Sequence, residues 1–86
     1  MTNEQIFKSV VGGNNFMSPN VEGYYGNSEY VCELSYGSAM GLYMFGCTFV
    51  NKRTMEREME LDTSFCETNE SVARTSAMKY IKEILN

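Results

Sequence analysis

Apolar positions along this chain recur at two different periods, and the changes between them predict a helix, three strands and a second helix. Ile6, Phe7, Val10 and Val11 fall on one side of a helical wheel. Ahead of them, Thr2-Asn3-Glu4-Gln5 has the form of a capping box, in which Thr2 accepts from the Gln5 amide and the Gln5 side chain reaches back to Thr2. Gly12-Gly13 follows as a left-handed stop, so the spacing predicts a helix from about Asn3 to Val11.

Period two takes over at Ser28. Tyr30, Cys32, Leu34 and Tyr36 alternate with Glu29, Val31, Glu33 and Ser35, as expected for a half-buried strand. After a turn at Gly37-Ser38-Ala39-Met40-Gly41, Leu42 to Val50 is apolar on both faces and reads as the middle strand of an antiparallel meander. Its outward anchors are Tyr43, Phe45 and Phe49, or Met44 in the other register. Asn51-Lys52-Arg53-Thr54 turns the chain into a third strand, Met55 to Phe65. There Glu56, Glu58, Glu60 and Asp62 alternate with Met55, Met59 and Leu61, and the pattern is broken only by Arg57. Same-face residues of a strand are about 6.7 Å apart, so the four carboxylates would form one row. Met, Glu, Arg and Leu are also helix formers, and Thr54 to Asp62 could coil on propensity alone. Coiling would oppose Glu56 to Glu60 and Glu58 to Asp62 at repulsive four-residue spacing, which favours the strand.

Helical spacing returns in Val72, Ser76, Ala77, Tyr80, Ile81, Ile84 and Leu85. Thr68 or Asn69 caps this helix, Glu67 and Glu70 sit near its positive end, and Lys79 and Lys82 lie toward its negative end. The small residues in the middle of the stripe permit close approach to a sheet. Between Gly12 and Asn27, glycines, asparagines and Pro19 are interleaved with Phe16, Met17, Val21, Tyr24 and Tyr25. This long turn-rich stretch either lays its aromatics over the core, forms a short edge strand from Val21 to Tyr25, or is a partner-binding loop. The expected architecture is α+β: a helix, a three-stranded antiparallel sheet and a C-terminal helix packed on one sheet face, in a single domain over residues 1–86.

Composition narrows the chemistry. Eleven acidic against seven basic residues give a net charge of −4, which disfavours direct nucleic-acid binding. With no histidine there is no Ser-His-Asp or Cys-His arrangement and no Cys-Cys-His-His zinc site. Cys32, Cys47 and Cys66 are odd in number and lack a Cys-x-x-Cys pair, so they read as free thiols in a reducing cytoplasm, buried in or at the end of strands. Glu4 and Lys8 among Ile6, Phe7 and Val10 do not read as a secretory signal. The uncharged run from Leu34 to Asn51 is interrupted by Gly37, Gly41 and Gly46, so no membrane span is expected. Carboxylates about 6.7 Å apart in a flat row converge poorly on a metal ion, and no glycine pattern forms a nucleotide loop. No enzyme, metal or other cofactor is expected.

The order of elements over Ser28 to Leu85 resembles the double-stranded-RNA-binding domain, and the final helix follows its apolar pattern. That family binds RNA through a Gly-Pro-x-His loop and a Lys-Lys-x-x-Lys cluster. Here the loop position holds Gly37-Ser38-Ala39-Met40-Gly41, and the lysine positions fall on Asn69, Glu70 and Ala73. The resemblance therefore implies a topology without RNA binding. In size, charge and carboxylate row the chain also resembles the small acidic inhibitors that bacteriophages make against host restriction and CRISPR complexes, several of which imitate nucleic acid.

Placing both helices on the Tyr30, Cys32, Leu34, Met59, Leu61 and Phe65 side of the sheet would gather Glu29, Glu33, Glu56, Glu58, Glu60 and Asp62 on the opposite face. Such a face suits a viral anti-CRISPR-type inhibitor acting in the host cytoplasm, docked in the basic nucleic-acid channel of a protein complex. Tyr24 and Tyr25 would add contacts. The alternative is an adaptor that self-associates as a homodimer, or binds a protein, through the apolar middle strand and the tyrosine-rich loop. An acidic face is also an ordinary way to keep a sheet solvated.

Overall fold

In the computed structural model, which describes residues 1–12 and 20–86, both helices begin at the caps expected of them. Helix α1 spans Asn3–Val11: Thr2 Oγ1 accepts from the Gln5 N–H at 3.1 Å, and Gln5 Oε1 accepts from the Thr2 N–H at 2.8 Å. Gly12, at φ +83°, ends it in a conformation that only glycine adopts without strain. Helix α2 spans Glu70–Leu85, and the Asn69 side chain accepts from the Val72 N–H. Its buried line is Ala73, Ala77 and Ile81, at four-residue spacing, and the two alanines let the helix axis lie close to the sheet.

The sheet is an antiparallel meander of β1 (Asn20–Gly26), β2 (Tyr30–Ala39) and β3 (Leu42–Asn51), with β4 (Glu56–Arg57) and β5 (Thr63–Glu67) both paired to the far side of β3. The α+β architecture with the C-terminal helix on the sheet is as expected; the strand count is higher. The extra edge strand β1 takes in the Val21 to Tyr25 stretch, while Phe16 and Met17 lie outside the described residues. The five-residue turn expected after Tyr36 shrinks to two residues, because β2 continues to Ala39. Met40 at φ +54° and Gly41 at φ +79° make the tight hairpin whose twist suits flanking antiparallel strands.

The helices lie on opposite faces, which corrects the expectation that both share one. Register and core contacts fix the assignment. Cys32, Leu34, Phe45, Cys47 and Phe49 are buried with Ala73, Ala77 and Ile81 beneath α2, and Tyr25, Tyr30, Tyr36, Leu61, Phe65 and Tyr80 surround them. Phe7 of α1 packs on Val31 and Val50 on the other face, with Ile6, Val10, Val11 and Tyr24 around it. At nine residues, α1 is only about 13 Å long. The ten-residue β2 runs for more than about 30 Å, so α1 covers only part of its face.

Polar groups tie the ends together. Asn27 Oδ1 accepts from the Glu29 and Tyr30 amides, while Asn27 Nδ2 donates to the Leu85 carbonyl and anchors the end of α2. Lys52 Nζ donates to the Asn27 carbonyl at 2.6 Å.

Candidate functional site

The expected acidic strand is not continuous, and the reason lies in two side chains. Asn51 Oδ1 accepts from the Arg53 and Thr54 amides, turning the chain tightly, and Met55 at φ +58° completes the turn. After the two residues of β4, Glu58 donates its N–H to the Phe49 carbonyl. The next backbone partner of β3 is then replaced by a side chain: Asp62 accepts from the Phe49 N–H at 2.9 Å and from Arg57 at 2.8 Å. Met59–Leu61, freed from the ladder, closes into a 3-10 turn. The Tyr80 hydroxyl donates to the Leu61 carbonyl at 2.6 Å and pins that turn to α2. Arg57, the one break in the period-two pattern, is therefore the partner that draws Asp62 inward.

The six carboxylates accordingly do not share a face. Glu33 lies on the α1 side and accepts from the Tyr24 hydroxyl at 2.8 Å. Glu29 sits half-buried just before β2, Glu58 accepts from the Asn51 amide, and Asp62 is neutralised by Arg57. Glu56, Glu60 and Glu67 are exposed and, among the described residues, make no ion pair; the half-buried Glu29 makes none either. Tyr24 packs against Phe7 with ring centroids 5.7 Å apart, and burial together with its bond to Glu33 pushes its hydroxyl well above the usual tyrosine range. Tyr25 joins the core under α2. Phe45 and Phe49 are fully buried, so of the two registers considered for the middle strand, the one that turns Met44 outward is adopted.

What the fold does bring together is a half-sheet that no other element covers among the described residues. On the face opposite α2, Val21, Ser35, Gly46 and Ser64 are cross-strand partners in one row across four strands. Gly37, Met44 and Cys66 form the next row, and Ala39 with Leu42 the last, beside the Met40 turn. Val21, Leu42 and Met44 are each between 44% and 49% exposed, and Met40 is 99% exposed. No charged residue belongs to these rows. Of the acids beside these rows, Glu33 is held by Tyr24 and Glu22 by Arg74 of α2 at 2.8 Å, while Glu67 falls in the alternate row opposite Tyr43.

The sequence offers Met44 as one of two outward anchors of the middle strand, but not the floor around it, because serines and glycines carry no chemistry of their own. The signal lies in the alternation of β3, where the aromatics Tyr43, Phe45 and Phe49 all fall in one set and Leu42, Met44, Gly46 and Thr48 in the other. The aromatic set marks the covered face.

Cys32 and Cys47 are buried side by side, and the hydrogen bond between them, with burial, pushes the Cys32 thiol up. A buried thiol pushed up in this way is a poor nucleophile. Cys66 is exposed. Among the described residues no group of three or more Cys, Asp or Glu side chains is placed to hold a metal ion, and no helix is long and apolar enough to cross a membrane. No family model matches the chain, and neither a curated protein nor a solved structure matches it.

Proposed function

We propose that this protein is a non-enzymatic binding module that docks a protein partner through the uncovered half of its sheet. The observation carrying this reading is that four of the eight exposed large hydrophobic side chains among the described residues, Val21, Met40, Leu42 and Met44, gather at that one end. They stand on a flat, uncharged floor of Ser35, Gly37, Gly46 and Ser64. Methionine is flexible and polarizable and suits such a surface. Met40 adds a second support: a left-handed conformation costs an ordinary side chain about 1 kcal/mol, yet a methionine occupies it with nearly all of its surface in water.

The partner is one that presents apolar side chains on an uncharged surface, so the affinity is insensitive to salt. Affinity capture with the wild-type chain, Met40→Glu with Met44→Glu, and Lys79→Glu provides the test. Proteins retained by the wild type and Lys79→Glu but lost from the double variant are the expected result. Identical sets from all three would refute the reading.

A second reading rests on the unpaired Glu56 and Glu60: an acidic inhibitor, of the phage anti-CRISPR type, that occupies a basic nucleic-acid channel. It requires binding that weakens steeply as salt rises and is abolished by Glu56→Lys with Glu60→Lys. Unchanged binding by that variant would exclude it.

A further inference from the structure

The direction of the backbone groups in β3 determines which groups β5 leaves open. The Phe49 N–H is bonded to Asp62 and the Phe49 carbonyl to the Glu58 N–H, so Phe49 points its main-chain groups toward the β4 and β5 side. Alternation along an antiparallel strand then gives Cys47, Phe45 and Tyr43 the same direction, and their partners Thr63, Phe65 and Glu67 face inward to β3. Ser64 and Cys66 therefore point their N–H and C=O groups away from the sheet. Among the described residues no other strand pairs with that edge.

The two edges of the sheet differ in protection. β1 is irregular between Val21 and Gly23, and the residue displaced there, Glu22, carries a charge tied to Arg74. A bulge and a charge are ordinary guards against strand addition. In β5, Thr63-Ser64-Phe65-Cys66 has no charge and no proline, and its pairing with β3 runs in unbroken register.

We propose that the β5 edge pairs with β5 of a second copy of this chain, antiparallel about a two-fold axis at Phe65. In that register Ser64 of one copy faces Cys66 of the other, and the two pairs exchange four hydrogen bonds that satisfy every outward group of both residues. A shift by two residues would have to recruit Thr68 or Asp62, both outside β5. Charge fits as well: Glu67 faces the Thr63 of the second copy instead of its own counterpart. Ser64 and Cys66 are the outer ends of the two widest uncharged rows, so pairing joins both copies' bare half-sheets into one surface of twice the width. This inference extends the docking surface proposed above but stands on the backbone of β5, and can fail without it. Five paired residues cover far less than the roughly 800 Å² per partner of a stable interface, so the dimer is weak. Because each copy carries −4, added salt strengthens it.

Sedimentation of the wild type over a concentration series, beside Ser64→Pro and Cys66→Pro, is the experiment. Proline at these positions removes only an outward N–H and leaves the β3 ladder its bonds. Expected are a wild-type dimer forming at concentrations below about 1 mM and an at least tenfold weaker association in the folded proline variants. A wild type that stays monomeric to about 1 mM, or proline variants that fold and associate equally, would overturn the proposal. Should the variants not fold, amide exchange in the wild type decides. Slowing at Ser64 and Cys66 with rising concentration supports the pairing, and fast exchange at those amides in a sample that sediments as a dimer overturns it.

Discussion

The two halves of the sheet face opposite α2 are built on the same strands and treat water differently. Under α1, the rows that include Val31, Val50 and Tyr24 are closed by Phe7, and their acid Glu33 is satisfied by the tyrosine hydroxyl. Two residues further along β2 and β3, the rows through Ser35 and Gly46 and through Gly37 and Met44 have no helix above them among the described residues. The covered half holds large side chains that interlock. The other combines a small-residue floor with a rim of exposed Val21, Met40, Leu42 and Met44. A face whose only task is to stay in water normally carries charge; this one is uncharged and rimmed by large apolar side chains, and that contrast separates a part that maintains the fold from a part available for binding.

Substitutions should separate the halves in a definite order. Phe7→Ala, which empties the centre of the covered half, is expected to cost about 3 kcal/mol or more in chemical denaturation. Glu33→Gln replaces the carboxylate to which the Tyr24 hydroxyl donates with a weaker, neutral acceptor and should cost about 1 kcal/mol by the same measurement. Tyr24 also gives the covered half a pH signature. Its folded-state hydroxyl titrates above the ordinary tyrosine value, so its contribution is fully present below about pH 10 and is lost as pH rises from there toward the folded value. Stability measured between about pH 9 and 11 should therefore fall less steeply in Tyr24→Phe than in the wild type.

The uncovered half should behave in the opposite way. Met40→Gly relieves the left-handed methionine and is expected to stabilise the chain by about 0.5 kcal/mol, while weakening any binding that uses this rim. Met44→Ala should change stability by no more than about 0.5 kcal/mol, and its effect should appear in binding alone. A loss for Met44→Ala as large as for Phe7→Ala would erase the contrast and make the bare half an ordinary part of the core.

Legibility in the sequence followed how local each cause was. The capping box at Thr2, the Asn69 cap and the apolar lines of both helices involve neighbours three or four residues apart, and the helices begin where these place them. The alternation of β2 was equally readable, since burial under α2 imposes it residue by residue. The break in the acidic strand was not, because it depends on a carboxylate, Asp62, meeting an amide of another strand, Phe49, and an arginine five residues back. Period-two spacing describes only what a strand would do with those residues. The face chosen by α1 was likewise hidden, as its apolar stripe fits either side of a sheet. The neutral patch was legible only at Met44, one of the two outward anchors the middle strand offers, because the serines and glycines around it have nothing on their side chains to mark a surface.

The most direct measurement is photo-cross-linking in cells with the reactive side chain placed in turn at positions 44, 60 and 79. If the uncovered half-sheet is the docking surface, position 44 captures a discrete protein adduct that persists at high salt, and positions 60 and 79 do not. Adducts confined to position 60, or indistinguishable at all three, would contradict the account.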